Sequence, residues 1–236
     1  FWYTSGGVTI KLKLAEKFAD TIFTASSESF RLPSKKVIVT GHGIDTELFK
    51  PTNDQRPTTN DRIRILSVGR ISPVKNYETL IGAAKILKNQ NVEFSITMIG
   101  EPALKKDKDY EQKLKSLISE LGLQGRFNFL GKINHQDLVS YYQSHHLFIH
   151  LSKTGSLDKT LLEAMACGMN VLSSNDAAKS FLPPELIFSE NNPLDLAEKI
   201  QYIMGHDRSS RLREYVLENH NLNALIDKIK SIIECK

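Results

Sequence analysis

The sequence predicts an α/β fold built on a doubly wound, mostly parallel sheet. Three observations carry that expectation. From Ile63 onward, short apolar runs alternate with stretches whose apolar residues recur at helical spacing. Glycines close the expected strands after Val68, Ile99 and Leu130. The segment Phe148–Ser174 (FIHLSKTGSLDKTLLEAMACGMNVLSS) reads as strand, open loop, short helix, glycine stop and strand. Parallel strands joined this way need a crossover helix, which places helices on the faces of one sheet.

The elements follow in order. Residues 7 to 19 put Val8, Leu12, Leu14, Ala15, Phe18 and Ala19 on one helical stripe, with Lys11, Lys13 and Lys17 elsewhere. Such a helix reads either as a solvated basic face or as a contact for anionic lipid. Thr21–Ala25 reads as a strand and Ser26–Ser29 as the cap of a short helix. KVIVT (36–40) is a strand leading into the glycine-bracketed turn Gly41–Asp45. A domain boundary is expected near residues 31 to 36, and Phe49 to Asp61 reads as a surface linker. Strands at 63–68, 92–99, 126–130 and 147–150 then alternate with a helix capped by Asn76 and with helices over 107–121 and 137–143. After Ser174 come a short strand near 186–188 and a helix opened by Asn192–Pro193 and ended by Gly205. Two last helices are expected near 207–218 and 221–234.

Composition narrows the class. With 236 residues, 40% hydrophobic and 25% charged, the chain has the make-up of a soluble globular protein that buries a sizeable core. The formal net charge of +4 is mild. It suits an anionic ligand or a membrane surface without requiring either, and no nucleic-acid partner is expected. Cys167 and Cys235 form neither a disulfide framework nor a metal-ligand spacing, which points to a reducing, cytoplasmic compartment. The seven histidines show no metal pattern. No run approaches a membrane span, no signal peptide is evident, and the opening Phe1-Trp2-Tyr3 leads us to expect a truncated chain.

In a doubly wound sheet ligands bind beyond the carboxyl ends of the strands. The first loop there is Gly69-Arg70-Ile71-Ser72-Pro73-Val74-Lys75. Its glycine, guanidinium and ammonium beside a helix N-terminus suit a diphosphate, although a solvated loop with two surface cations has the same residues. Gly100-Glu101 and Gly131-Lys132-Ile133 either line a flat base through backbone atoms or are plain turns. Glu163, in the first turns of its helix, either accepts hydrogen bonds from the vicinal hydroxyls of a ribose or merely complements the helix dipole. Asp158 and Lys159 read as loop charges or as the cap, and His150 is left open between cleft and core. GxGxxG, Walker A, HExxH and GxSxG runs are all missing, so dinucleotide, P-loop, zinc-protease and serine-hydrolase readings have no fingerprint.

Taken together, five segments change the reading. VIVTGHGIDTELFKP (37–51), ILSVGRISPVKNYETLIGAAKIL (65–87), FSITMIGE (94–101), FNFLGKINHQDLVSYYQSHHLFIHLS (127–152) and TGSLDKTLLEAMACGMNVLSSN (154–175) resemble, in order and spacing, the donor domain of the GT-B glycosyltransferases. They look most like the large retaining group called family 4, over about residues 20 to 205. The resemblance implies a Rossmann-like donor-binding domain at 35–205. It also implies a remnant of the N-terminal acceptor domain at 1–34, and C-terminal helices at 206–236 that cross back to that domain.

The resemblance further implies that Arg70 and Lys75 are catalytic, neutralising the donor diphosphate, and that Glu163 binds the ribose hydroxyls. Gly69, Gly131, Lys132, Ile133, Ser156, Asp158, Lys159, Thr160 and Leu161 would line the rest of the donor site, with the base near Gly131–Ile133. The implied reaction transfers a sugar from a UDP-, GDP- or ADP-type donor, with retention, to a glycan, lipid or small-molecule acceptor. It works by electrostatic stabilisation and needs no metal or resident cofactor. The missing N-terminal domain would supply any peripheral contact with the inner face of a membrane.

One motif position departs from the family. Gly155 stands where the first of two glutamates, with seven residues between them, is expected to touch the sugar. A neighbour such as Asp158 substitutes, or backbone holds the sugar, or the site is altered. The alternatives to an enzyme half are a non-catalytic sugar-nucleotide-binding module and another Rossmann-like enzyme such as a nucleotide-sugar epimerase.

Overall fold

The structure, a computed structural model, describes residues 1–52, 62–152, 156–205 and 211–234. Strands β1 (Ile22–Thr24) and β2 (Val37–Val39) pair in parallel as a small separate sheet. The main sheet holds β3 (Ile63–Val68), β4 (Phe94–Ile99), β5 (Phe127–Phe129), β6 (Leu147–His150) and β7 (Asn170–Ser173). Its order is β5-β4-β3-β6-β7, parallel throughout. Its strands are apolar on both faces: Ile63, Ile65, Leu66, Phe94, Ile96 and Phe148 have no exposed surface. Only a sheet covered by helices on both sides allows that.

The order has a consequence for function. The chain winds from β3 through β4 to β5 at one edge, then returns to the other side of β3 for β6 and β7. The carboxyl ends of β3 and β6 therefore flank the point where the winding reverses, the place where such sheets open a crevice.

Eight helices are described: α1 (Ile10–Phe18), α2 (Tyr77–Asn89), α3 (Lys105–Glu120), α4 (Leu138–Ser144), α5 (Lys159–Ala166), α6 (Pro193–Met204), α7 (Arg211–Asn219) and α8 (Leu222–Glu234). None is long and apolar enough to cross a membrane, among the described residues. Helix α5 buries Leu161, Leu162, Met165 and Ala166 completely, as its apolar spacing predicts.

Several local expectations change. Of the stripe on α1 only Leu12 is buried within the helix, while Leu14 and Phe18 are 59% and 77% exposed. The cluster beneath it, Leu12 with Ile22 and Phe30, is too small to cover the whole stripe. The strand expected near 186–188 is a 3-10 turn, Pro184–Leu186, with one bridge from Ser173 to Ile187. Pro183 and Pro184 carry no N–H for a ladder. Asn76 occupies the cap of α2 at φ 49° without a side-chain hydrogen bond, and its buried Nδ2 has no partner. The boundary expected at 34/35 falls inside the β1–β2 sheet. Most of the expected linker (53–61), Gly155, Cys235 and the start of the helix expected at 207 lie outside the described residues.

The segment after β2 is stitched to the α7–α8 corner. His42 N–H donates to His220 Nδ1 at 3.0 Å, Ile44 N–H to the His220 carbonyl at 2.8 Å, and Leu222 N–H to the Ile44 carbonyl at 3.0 Å. Gly41 makes the approach possible: its φ is +79°, and a Cβ there would lie 2.2 Å from the Asn219 carbonyl oxygen.

Candidate functional site

The loops that leave β3, β4 and β5 are tied edge to edge. Gly69 N–H donates to the Ile99 carbonyl at 2.9 Å, and Gly100 N–H to the Gly131 carbonyl at 2.8 Å. Gly100, at φ +142°, would place a Cβ 2.0 Å from the Gly69 carbonyl oxygen. Only glycine lets the loops after β3 and β4 lie this close. The Gly69 carbonyl also accepts from Tyr77 Oη at 3.2 Å, and burial pushes that phenol well above its usual range, so it stays a donor.

This frame aims the β3 loop across the reversal point. Lys75 forms an ion pair with Asp158, which stands at the N-cap of α5 after the β6 loop. Asp158 is also held by His150, whose Nε2–H donates to Oδ2 at 2.9 Å. On the other side of the ring, Nδ1 faces Ser173 Oγ at 3.0 Å. Burial works against the charge on Asp158, but His150 and then Lys75 outweigh it and hold the carboxyl well below the usual carboxylate range. His150, left open by the sequence, is thus buried at 3% exposure and faces the crevice through Asp158.

Helix α5 opens at this point. The Asp158 side chain makes no cap bond, so the first-turn N–H groups of Lys159, Thr160 and Leu161 lack an intrahelical acceptor. Leu161 has its side chain wholly in the core, which leaves only its backbone for a ligand. Glu163 follows about 7 Å further along the helix axis. It is 2% exposed, and both of its oxygens are engaged: His135 Nε2 lies 2.8 Å from Oε1, and Tyr142 Oη donates to Oε2 at 3.0 Å. Burial first, then the Glu163 charge, raises the Tyr142 phenol well above its ordinary range.

The other expected residues fall around this line. Arg70 and Lys159 are exposed on loop and helix start, and Lys132 is exposed beyond β5. Ile133 packs on the core, and Gly131 adopts φ +67° at the strand end. Ser156 is buried, its carbonyl accepting from Asn175 Nδ2 at 3.3 Å. The structure thus joins Lys75 to Asp158 directly and sets Glu163 on the same helix, with Arg70 on the Lys75 loop. Among the described residues no group of His, Cys, Asp or Glu gathers as a metal site.

Sequence reasoning missed four residues that hold this site: His135, Tyr142, Ser173 and His42. His42 Nε2–H donates to the Leu157 carbonyl at 2.8 Å, fixing the loop beside Asp158 from the β2 side. Behind Leu157 lies a cavity of about 370 Å³ bordered by Ser27, Thr40, Ser180 and His220. No spacing signal could have found His135, which lies outside the helix expected at 137–143 and sits in the 3-10 turn His135–Asp137.

A family model described as Glycosyl transferases group 1 matches residues 49–219. The amylovoran biosynthesis glycosyltransferase AmsK of Erwinia amylovora is 31% identical over 161 residues, covering 66% of this chain and 37% of that protein. The putative colanic acid biosynthesis glycosyltransferase WcaL of Escherichia coli K12 is 24% identical over 222 residues, 86% of this chain and 52% of that protein. The chain thus spans from about a third to about a half of the length of these relatives. Among solved structures, Anabaena Alr3699/HepE in complex with UDP and glucose superposes with a TM-score of 0.79 at 19% identity, over 95% of this chain and 66% of that one. A sucrose-phosphate synthase from Thermosynechococcus elongatus does so with a TM-score of 0.79 at 23% identity, over 94% and 60%. The fold is that of these GT-B proteins.

Proposed function

The chain belongs to the glycosyl transferases group 1 family, and from that premise we propose that it is the donor-binding part of a retaining, family 4-like glycosyltransferase. Its substrate in this reading is a nucleoside-diphosphate sugar, bound without a metal or resident cofactor, and its acceptor is a glycan, lipid or small molecule. Residues 1–34 then belong with an acceptor-side domain. Helices α7 and α8 cross toward it, a reading supported by Lys228 Nζ donating at 3.1 Å to the carbonyl of Val39 in β2, the strand that pairs with β1 of that segment.

The observation that carries the proposal is the meeting of Lys75 with Asp158 at the reversal point of the sheet, beside the open start of α5 and in line with Glu163. A diphosphate fits where N–H groups, a helix N-terminus and two cations coincide. As the bond between the anomeric carbon and the diphosphate breaks, negative charge grows on the leaving phosphate. Lys75 and Arg70 stabilise it there, and the acceptor hydroxyl, bonding to the anomeric carbon on the face the diphosphate leaves, passes its proton to the departing phosphate oxygen. The UDP bound by the Anabaena neighbour supports a nucleotide as the ligand.

Calorimetric titration with UDP, GDP and ADP tests the proposal. One of them should bind, and Arg70→Ala or Glu163→Ala should weaken it at least about tenfold, the worth of a charged hydrogen bond. Equal binding by both variants would remove the assignment of the site.

A further inference from the structure

The two hydrogen bonds to Glu163 are unlike each other. Tyr142 on α4 is fully buried, and its hydroxyl has no route to another acceptor without unpacking the core. His135 is a surface residue with a side chain 62% exposed, placed by the 3-10 turn His135–Asp137 that follows the Gly131–Ile133 loop. Its ring leans on Phe49, centroid to centroid 5.0 Å, and its Nε2 caps Glu163 Oε1. Helix α5 holds the carboxylate 2% exposed, so the exposed His135 side chain is the cover over a buried acceptor. A buried carboxylate left without a donor is costly, which gives His135 its purpose while the site is empty.

We propose that His135 is a placeholder for the ribose diol. Its Nε2–H occupies the oxygen of Glu163 that a ribonucleotide takes over, and the imidazole swings outward to solvent as the nucleotide enters. Tyr142 keeps Oε2 throughout, so recognition of the diol runs through Oε1 alone. The exchange lowers net affinity for the ribonucleotide, since one good hydrogen bond is broken for each pair made, and this favours departure of the nucleoside diphosphate after transfer. A nucleotide without the diol has nothing to exchange and leaves the His135–Glu163 contact standing. This inference rests on the reading of Glu163 as the ribose carboxylate.

The test uses whichever of UDP, GDP and ADP binds the chain most tightly, together with its 2′,3′-dideoxy analogue. His135→Ala should tighten the ribonucleotide by about tenfold and leave the dideoxy analogue unchanged. His135→Gln, whose amide reaches the same oxygen, should restore the original affinity. Glu163→Gln should weaken the ribonucleotide and spare the analogue. If Glu163→Gln weakens the ribonucleotide but His135→Ala fails to tighten it, the placeholder is wrong and the ribose reading stands. If Glu163→Gln changes neither ligand, or no nucleotide binds, both readings fall together. Equal weakening of both ligands by His135→Ala, in a protein that melts as before, would make His135 a direct contact and overturn the proposal.

Discussion

Lys75 and Asp158 are 83 residues apart in sequence and meet as an ion pair between the loops that leave neighbouring strands β3 and β6. The pair neutralises the lysine that a diphosphate would use. Entry of an anion therefore means a change of partner for Lys75, while His150 keeps hold of Asp158.

Asp158→Asn should act on stability and binding in opposite directions. The side chains of Lys75 and Asp158 are 14% and 26% exposed, so losing the carboxylate leaves a largely buried ammonium short of a partner. A cost of about 1 kcal/mol, a few degrees of melting temperature, is expected. Nucleoside diphosphate should bind about threefold more tightly, because Lys75 no longer has to leave a carboxylate. The sign in acid follows from the lowered carboxyl. The stability it contributes is complete above its ordinary value of 3.8 and is lost as pH falls below it, a limb the variant should lack. Weaker binding by a stable Asp158→Asn protein would show that Asp158 serves the ligand instead.

Tyr142→Phe should be costly out of proportion to one oxygen atom. The phenol is completely buried, and its removal strips Glu163 Oε2 of its donor in a place water does not reach. A loss of about 1–3 kcal/mol in urea unfolding is expected. Tyr141→Phe, one residue away and only partly buried, is the control and should be near neutral.

Much of this was legible in the sequence. The parallel sheet could be read because buried strands are continuous apolar runs and their crossover helices are amphipathic, and both patterns are local. Lys75 and Glu163 stood out as candidates because each lies near a helix start beyond a strand's carboxyl end, and the resemblance to a donor domain supplied the roles implied for them. The ion pair itself could not, since nothing in either loop tells Lys75 that Asp158 is its neighbour. His135 was hidden for a similar reason. An exposed histidine in a polar turn looks like solvent-facing surface until the fold sets it over a buried carboxylate. The misjudged stripe on α1 shows the reverse limit, for helical spacing names a face without saying whether anything covers it.

Gly100→Ala should damage the site through the loops. The added Cβ would sit 2.0 Å from the Gly69 carbonyl oxygen on a backbone at φ +142°, so the loop carrying Arg70 and Lys75 must shift. Destabilisation of roughly 3 kcal/mol is expected, with weaker nucleotide binding in whatever fraction remains folded. Gly125→Ala has nothing within 4 Å of the new Cβ and should change neither quantity. Similar melting curves for the two variants would mean that the loops are not held as described.

The α7–α8 corner should make stability depend on pH through His220. Burial, then the neighbouring charge of His42, pulls its imidazole down to about 4 from an ordinary 6.5. His42 is lowered too, chiefly by burial and against the pull of the Leu157 carbonyl. The folded chain thus keeps His220 neutral, its Nδ1 accepting from His42 N–H, over a range in which the unfolded chain takes up a proton. Where the unfolded state binds more protons, stability rises with pH. The contribution of His220 is therefore complete above 6.5 and is lost as pH falls from there toward 4. Between about pH 7.5 and about pH 5 the loss from His220 should be roughly 2 kcal/mol. His220→Asn places Oδ1 where Nδ1 was, so it keeps the acceptor and removes the titration. Urea unfolding at the two pH values should show a shallower decline in the variant, with stability at the higher pH within about 1 kcal/mol of the parent. An identical decline in both proteins would mean that the corner does not hold His220 neutral.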